Sequence, residues 1–325
     1  MHGTSPSEGP GSLIDVSGLQ VGHAVVPGGG SGCTVILGPF RGAVEVSGSA
    51  TGSRELHTLE PRHVVPEVDA VLLTGGSAYG LGAAQGVMRW LEGQGRGYAT
   101  RMGPVPIVPT AVIYDLAPDR QRPGSEEGWR ACEAAGDGSM EEGRVGAGAG
   151  ATVGKFRGPE RASPGGVGSA SVKVQGWRVG ALVVVNALGS VVSPDGSVVA
   201  GVRSDDGGFL DPDTPVLEAG SGQAGGDLSA GQNTTLAVVA SDAPLSQVQL
   251  GQVARMASAA LALRIRPVYT PFDGDLVFAL STGSALPSAS EGGEVSGQQL
   301  LALGVGARMA LETAVLRGVS SRSGV

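Results

Sequence analysis

The sequence predicts a protein of mixed α and β structure whose sheet is covered on both faces. From Leu13 onward, short runs of β-branched and apolar residues alternate with longer segments of helical periodicity, which is the pattern of an α/β fold. Several of the short runs are apolar throughout, and such strands are typical of a sheet that lies between other layers. A chain of 325 residues with 41% hydrophobic residues is long and apolar enough to build one large core.

These patterns place the individual elements along the chain. The predicted strands share a short apolar run, and they cover residues 33–37, 71–73, 111–114, 170–174, 181–185, 235–240 and 276–280. The predicted helices are longer and periodic, and they cover residues 78–92, 245–263 and 298–316. In the third helix, apolar side chains recur at roughly helical spacing and predict a stripe that faces the core. The members of this stripe are Leu300, Leu301, Leu303, Met309, Leu311 and Val315.

Residues 13–325 are predicted to form a single domain that follows a flexible tail at residues 1–12. The start of the chain has neither the basic segment nor the apolar centre of a signal peptide. No apolar run approaches the roughly 20 residues that span a bilayer. The two cysteines, Cys33 and Cys132, fit a reducing compartment. We therefore expect a soluble cytoplasmic protein.

The charge balance limits the kinds of partner that we expect. The formal net charge is -8, with 22 Lys and Arg residues against 30 Asp and Glu residues, and the basic residues form no stripe. Proteins that bind nucleic acid or anionic membranes usually carry a basic patch. The composition therefore argues against nucleic acid and against a membrane surface as the main partner.

Three motifs that suggest other chemistries lack part of their pattern. The glycines at 146, 148 and 150 resemble a dinucleotide fingerprint, but no strand precedes them and no long helix follows them, so a close-packed loop is expected. The four histidines show no metalloprotease pair, and neither cysteine has a second one nearby. Segment 74–80 places Ser77 at a strand-to-helix corner, but no acid and His follow in the usual hydrolase order. The sequence thus predicts no metal site and no cofactor.

The most informative segment is the junction between Asn233 and Thr234. A loop rich in Gly, Asp and Ser at 205–231 leads to it, and an apolar run at 236–240 follows it. If the bond between the two residues is cut, Thr234 becomes N-terminal, and its free amine, with a pKa of about 8, can take the proton of its own hydroxyl. The sequence therefore predicts self-cleavage between residues 233 and 234, with Thr234 as the nucleophile. Thr235 is the rival, but alternation along a strand points it to the opposite face.

Two carboxylates downstream fit this interpretation. Asp273 and Asp275 stand directly before the predicted strand at 276–280, and alternation places both on one side, where they can orient the amine and hydroxyl of Thr234. A solvated pair of turn acids is the alternative.

One amide residue upstream is a further candidate. Asn186 ends the buried run at 181–185, and a buried carboxamide must find a hydrogen-bond partner or line a cavity. Its amide donor suits the oxyanion of an acyl-transfer intermediate. A turn-forming Asn is the alternative.

Five separated segments carry a resemblance to a known family. The segments occur in that family's order, and the resemblance as a whole runs from about residue 13 to about residue 318. The five segments are LIDVSGLQVGH at 13–23, LTGGSAYGL at 73–81, VGAGAGATVGK at 145–155, VGALVVVN at 179–186 and NTTLAVVASDAPL at 233–245. The chain resembles the self-processing aminopeptidases of the L-aminopeptidase/D-esterase type, a group that includes β-aminopeptidases and nylon-oligomer hydrolases. The resemblance implies an N-terminal-nucleophile-like fold of four layers, αββα, cut into a longer and a shorter chain that stay together. It also implies a homo-oligomer.

The same resemblance implies roles for individual residues. The nucleophile would be Thr234, the oxyanion donor Asn186, the supporting carboxylates Asp273 and Asp275, and the substrate-lining residues Lys155 and Tyr114. The β-aminopeptidase branch has Gly-Ser at the cut and a Ser/Glu pair where this chain has Asn-Thr and Asp/Asp, so the chain lies nearer the Asn-Thr branch that includes nylon-oligomer hydrolases.

The functional prediction is an autoprocessed amidohydrolase or aminopeptidase that acts on small amides or short peptides through an acyl-enzyme on Thr234. An endo-type oligoamide hydrolase and an acyltransferase share that intermediate and stay open as alternatives. An uncleaved binding or scaffold protein is the alternative that is not an enzyme.

Overall fold

The computed structural model describes residues 11–65, 67–218, 233–283 and 295–320. The strands in these ranges are β1 (Gln20–Val25), β2 (Gly32–Val46), β3 (Ser53–Arg54), β4 (Val68–Thr74), β5 (Tyr98–Thr100), β6 (Gly103–Val105), β7 (Thr110–Val112), β8 (Thr152–Val153), β9 (Ser163–Pro164), β10 (Gly166–Val174), β11 (Trp177–Asn186), β12 (Ser190–Val192), β13 (Val198–Ala200), β14 (Thr234–Ser241), β15 (Ile265–Arg266) and β16 (Leu276–Ser281). The α-helices are α1 (Ala84–Gly93), α2 (Ser125–Glu133), α3 (Thr214–Glu218), α4 (Gln247–Arg264) and α5 (Gly297–Val319).

Every strand and helix predicted from the sequence overlaps an element of the structure, although β7 ends at Val112, before the end of the strand predicted at 111–114. The predicted helix at 78–92 differs in its first half, which is a 3-10 helix at Ser77–Ala83 that continues into α1. Residues 1–10 of the predicted tail and residues 219–231 of the predicted loop lie outside the described ranges. Gly11, the first described residue, is held by its carbonyl oxygen, which accepts a hydrogen bond from Arg317 Nη1 at 3.0 Å.

Nine strands form one continuous hydrogen-bonded sheet in the order β10-β11-β14-β16-β2-β4-β7-β3, with β1 also paired to β2. The 15-residue strand β2 serves both parts of this sheet, because residues 41–46 pair with β16 and residues 33–40 pair with β4. The register between β2 and β4 shifts between Leu37 and Phe40, and such irregularities bend a strand. We call the part with β1, β3, β4 and β7 sheet I, and the part with β10, β11, β14 and β16 sheet II.

Three buried clusters show that the two sheets lie face to face between helices. The central cluster joins Leu73 of sheet I to Leu182, Leu236 and Phe278 of sheet II. Strands β4 and β11 are four places apart in the sheet order, so their side chains meet only because the sheet folds back on itself. A second cluster packs α4 and α5 on the outer face of sheet II, and a third packs α1 and α2 on sheet I. The order of layers is therefore αββα.

Alternation along β11 explains why this strand is apolar on both sides. Val183 and Val185 belong to the cluster under α4 and α5, whereas Leu182 and Val184 belong to the cluster between the sheets. Successive side chains of a strand point to opposite faces, so a strand in the middle of four layers buries both sets. This confirms the expectation that part of the sheet lies between layers.

The apolar stripe predicted for the last helix is wrong at two of its positions. Leu303, Leu311 and Val315 are buried, but Leu301 is 58% exposed and Met309 is 49% exposed. Each of the two lies two residues, or about 200°, away from a buried leucine, so each falls on the opposite face of α5. Small residues complete the inner face instead.

Close packing explains why that inner face uses small residues. Gly306 of α5 lies against β10, and a Cβ there would be 2.5 Å from Val174 Cγ2.

By its length and hydropathy, α5 could also cross a membrane. However, half of the apolar 18-residue stretch that gives it this property is buried inside the protein.

Candidate active site

The pairing of three neighbouring strands of sheet II brings the predicted site residues together. Strand β14 lies between β11 and β16, and Asn186, the last residue of β11, is paired with Thr234, the first residue of β14. On the other side, Asn233 forms a parallel bridge with Asp273, just before β16 begins. The junction between residues 233 and 234 is therefore flanked by the amide on one side and by the acidic segment on the other.

The Thr234 hydroxyl contacts the carbonyl group that precedes it. Thr234 is only 2% exposed, and its Oγ1 donates a hydrogen bond to the carbonyl oxygen of Asn233 at 2.5 Å. The same oxygen accepts a hydrogen bond from the backbone N–H of Gly274 at 2.9 Å. This arrangement holds the hydroxyl against the carbonyl group of the bond that the sequence predicts to be cut.

The neighbouring Thr235 lies on the other face of β14. It is paired with Val185, whose side chain packs under α4 and α5, and directly opposed residues of antiparallel strands share a face. The backbone N–H of Thr235 donates to Asp275 Oδ1 at 2.6 Å. Asp275 thus fixes the start of β14 through the backbone, one residue beyond the predicted nucleophile.

The two predicted carboxylates are buried rather than solvated. Asp273 is 2% exposed and Asp275 is 1% exposed. Asp273 Oδ2 accepts hydrogen bonds from the backbone N–H of Thr270 at 2.9 Å and from its hydroxyl at 2.6 Å. The turn at 270–273 therefore orients Asp273. The alternative of a solvated acid pair does not fit these residues.

The Asn186 carboxamide has partners on both of its ends. Its Oδ1 accepts from Lys155 Nζ at 2.8 Å and from the backbone N–H of Thr152 at 3.2 Å. Its Nδ2 donates to the backbone carbonyl of Tyr114 at 3.3 Å. Lys155 and Tyr114 therefore lie beside Asn186, Lys155 with its side chain and Tyr114 with its main chain.

Burial dominates the electrostatics of the site. It lowers the pKa of Lys155 to about 7, and Asp273, Asp115 and Asp275 oppose part of that shift through their negative charge. Burial also raises the pKa of Asp273 and of Asp275, and the charge of Asp273 raises that of Asp275 further. A buried ammonium group and buried carboxylates hold their charges only together, so the protonation states in this site are linked.

Two contributors to the site had no strong signal in the sequence. Asp115 directly follows Tyr114 and is buried, and its Oδ1 accepts from the backbone N–H of Gly76 at 2.7 Å. Its position at the end of the predicted strand at 111–114 is the one available hint. The backbone N–H of Gly274 carries no sequence signal beyond its place between the two aspartates.

The motifs that were set aside in the sequence have structural roles. The turn at Gly146–Gly148 is close-packed, and a Cβ at Gly148 would lie 2.5 Å from the backbone nitrogen of Val167. His23 Nδ1 pairs with Thr34 Oγ1 at 2.9 Å, and burial lowers the pKa of His23 to about 4. Among the described residues, no group of three or more His, Cys, Asp or Glu side chains is placed to hold a metal ion.

Comparisons with known proteins agree with this architecture. The sequence profile of peptidase family S58 matches residues 11–324. An uncharacterized aminopeptidase of Mycobacterium leprae is 44% identical over 299 residues, which cover 86% of this chain and 80% of the relative. A 6-aminohexanoate-oligomer endohydrolase of Agromyces sp. is 32% identical over 289 residues, which cover 83% of this chain and 74% of the relative.

A solved structure extends the agreement to the fold. The L-aminopeptidase D-Ala-esterase/amidase from Ochrobactrum anthropi, described as a variant of the Ntn hydrolase fold, superposes with a TM-score of 0.67. The match covers 97% of this chain and 88% of that chain at 22% sequence identity. The predicted N-terminal-nucleophile-like αββα fold is thereby confirmed. Because the family profile covers almost the whole sequence, the chain belongs to peptidase family S58.

Proposed function

We propose that this protein cuts its own chain between Asn233 and Thr234 and then hydrolyses small amides or short peptides with Thr234 as an N-terminal nucleophile. One observation carries the proposal: the Thr234 hydroxyl lies 2.5 Å from the carbonyl oxygen of Asn233, at a strand junction flanked by Asn186 and Asp273. Membership of peptidase family S58 supports the choice of a hydrolase.

In the self-cleavage step, Thr234 Oγ1 forms a bond to the carbonyl carbon of Asn233, and the hydroxyl proton passes to the departing nitrogen. The peptide bond breaks, and Asn233 is left as an ester on Oγ1. Water then hydrolyses the ester, which releases the carboxylate of Asn233 and leaves Thr234 with a free amine.

In the turnover step, the new amine of Thr234 takes the proton from Oγ1 while the oxygen attacks the substrate amide. The Asn186 carboxamide is proposed to stabilise the oxyanion, since preorganised donors at that position lower the barrier of acyl transfer. The amine leaving group departs with a proton, and water frees the acyl group from Oγ1. Asp273 and Asp275 are proposed to orient the hydroxyl and the amine.

Lys155 and Tyr114 are proposed to act through Asn186. Lys155 Nζ and the Tyr114 carbonyl lie on the two ends of the Asn186 carboxamide, at 2.8 and 3.3 Å. Since Nζ has no acceptor atom, its contact fixes Oδ1 on that side and leaves Nδ2 as the end that donates. We assign both residues as positioning residues rather than substrate anchors.

Two kinds of relative support the proposed substrate class. The Mycobacterium leprae relative is named an aminopeptidase, which favours removal of N-terminal residues from short peptides. The Agromyces relative is named an endohydrolase of 6-aminohexanoate oligomers, and the Asn-Thr junction with its Asp pair favours such an endo-type oligoamide hydrolase as the second candidate. Product analysis with an unblocked peptide, a 6-aminohexanoate oligomer and a competing amine separates aminopeptidase, endo-amidase and acyltransferase activity.

Intact-mass measurement on purified protein tests the proposal. Wild type is expected to give two fragments, the second beginning at Thr234, and Thr234→Ala is expected to remain one chain. A wild type that stays one chain after prolonged incubation supports the uncleaved scaffold instead. Cutting of Thr234→Ala at the same bond rules out Thr234 as the nucleophile.

A further inference from the structure

The carbonyl oxygen of Asn233 is held by a second donor that none of the proposed roles uses. Besides Thr234 Oγ1, it accepts a hydrogen bond from the backbone N–H of Gly274 at 2.9 Å. If Thr234 attacks this carbonyl group, the carbonyl oxygen of Asn233 becomes the oxyanion of self-cleavage. A donor at 2.9 Å from that oxygen has the geometry of an oxyanion hole.

The Gly274 N–H is held in place because the carbonyl groups of residues 273–275 are hydrogen-bonded to residues 48–51. The carbonyl oxygen of Asp273, which belongs to the same peptide group, accepts from the backbone N–H of Ala50 at 2.9 Å. The carbonyl of Gly274 accepts from Thr51 Oγ1 at 3.2 Å, and that of Asp275 accepts from the backbone N–H of Gly48 at 2.9 Å. Successive carbonyls at 273–275 are thus bonded to segment 48–51, so the donor is preorganised.

Position 274 is also the place where a side chain would reach the nucleophile. A Cβ there would lie 2.7 Å from Thr234 Oγ1 and 2.8 Å from the carbonyl oxygen of Ala50. Real Cβ atoms essentially never approach other atoms to less than 3.0 Å. Glycine therefore leaves space for the hydroxyl at the point where its neighbouring N–H reaches the carbonyl.

The amide of Asn186 does not occupy this position in the uncut chain. Its Nδ2 donates to the backbone carbonyl of Tyr114, and Lys155 Nζ binds its Oδ1. The two candidate oxyanion donors therefore bind different oxygens in the uncut chain. The Gly274 N–H donates to the carbonyl oxygen of Asn233, and the Asn186 amide donates to the carbonyl oxygen of Tyr114.

We propose that the backbone N–H of Gly274 is the oxyanion donor of self-cleavage. The proposal rests on the cut between residues 233 and 234. As Oγ1 of Thr234 bonds to the carbonyl carbon of Asn233, the π electrons of that carbonyl move onto its oxygen, and the Gly274 N–H stabilises the charge. The electrons return to re-form the carbonyl as the C–N bond breaks, and the nitrogen leaves with the hydroxyl proton.

The decisive experiment removes this one donor without adding a side chain. Cell-free translation with glycolic acid at position 274 replaces the N–H by an ester oxygen and adds no Cβ. A matched control places the same ester at Gly136, whose N–H donates to the carbonyl of Val21 at 3.1 Å, outside the site, and whose Cβ position is open. Intact mass against time gives the rate of self-cleavage for each chain.

We expect the ester at 274 to slow self-cleavage about 10²- to 10³-fold, the usual loss when one oxyanion donor is removed, and the ester at 136 to leave it within about threefold of wild type. Equal rates for the two esters would overturn the proposal while leaving the Thr234 cut intact. Wild type that is not cut at all would remove the proposed function and this inference together.

A second measurement does not depend on how the ester variant folds. In the uncut Thr234→Ala protein, residue-resolved hydrogen exchange should show the Gly274 amide protected to the level of the amides of β16. Exchange at the rate of an open loop would mean that the hydrogen bond to Asn233 is absent, and the proposal would fail.

A Gly274→Ala variant should keep the donor but slow the cut, because its Cβ displaces Thr234 Oγ1.

Discussion

Asn186 and Thr234 lie directly opposite each other in the antiparallel pair of β11 and β14. Directly opposed residues of antiparallel strands share a face of the sheet, and here the carboxyl end of β11 meets the amino end of β14. This single pairing brings an amide donor and a hydroxyl together from positions 48 residues apart in the sequence. It also separates Thr234 from Thr235, which faces α4 and α5.

Replacing each threonine of the pair by valine distinguishes them. Valine keeps the shape of threonine and replaces the hydroxyl by a methyl group, so Thr234→Val should abolish self-cleavage and remain a single chain of about 32.2 kDa. Thr235→Val is the matched control and should still give two fragments, since its side chain lies on the other face of β14. Intact mass after incubation measures both, and an uncut Thr235→Val with a cut Thr234→Val would reverse the assignment.

Asn186→Asp should impair turnover more than substrate binding. A carboxylate of the same shape accepts hydrogen bonds but donates none when it is ionised, so it stabilises no oxyanion. We expect kcat to fall about 10²- to 10³-fold with KM changed much less. Steady-state kinetics on a chromogenic small amide measures this with the cut enzyme. A kcat within threefold of wild type would exclude Asn186 as the oxyanion donor.

The charge of Lys155 should set the acidic limb of the activity profile. The ammonium group favours the ionised form of Asp273 and lowers its pKa. Lys155→Met removes that charge, so the carboxylates lose their proton at higher pH, and the acidic limb of kcat/KM should move to higher pH. Lys173→Met, at an exposed position of β10, is the control and should leave the profile unchanged. A shift toward lower pH for Lys155→Met would contradict the proposed coupling.

Two glycine substitutions should change stability in opposite directions. A Cβ at Gly168 would lie 2.8 Å from the Cα of Gly318 and closer still to the carbonyl oxygen of Ala314, so Gly168→Ala should separate β10 from α5 and cost about 1–3 kcal/mol. Gly251 stands inside α4 with open space at its Cβ position, and Gly251→Ala should stabilise by up to about 1 kcal/mol. The thermal unfolding midpoint should fall for Gly168→Ala and rise for Gly251→Ala.

Acid should destabilise the protein in part through His23. Burial lowers the pKa of this residue from 6.5 to about 4, so the unfolded chain binds a proton in that interval that the folded chain does not. The stability that depends on neutral His23 is complete above pH 6.5 and is lost as the pH falls toward 4, by about 3 kcal/mol. Denaturant unfolding at pH 7 and pH 4 should show a smaller loss for His23→Gln than for wild type. An equal loss would contradict the linkage.

Much of the fold could be predicted because its signals are local. The runs at 181–185 and 235–240 are apolar without interruption, and that pattern indicates strands covered on both faces wherever it occurs. The predicted stripe on the last helix was wrong at Leu301 and Met309, because hydrophobicity alone does not show which face of a helix meets the sheet. There the fit of Gly306 against Val174 decides the orientation.

For the candidate site, the sequence by itself determined which residue types are available: a hydroxyl after a loop, a buried amide at the end of a strand and two acids before another. Local propensity and residue chemistry are properties of short segments, so one sequence suffices to read them. Only the tertiary structure decided that β11, β14 and β16 are neighbours, that Lys155 binds Asn186, and that the Gly274 N–H meets the carbonyl of Asn233. Strand order and register depend on contacts between segments far apart in the chain, and a backbone N–H acquires a role only from the atom that it faces.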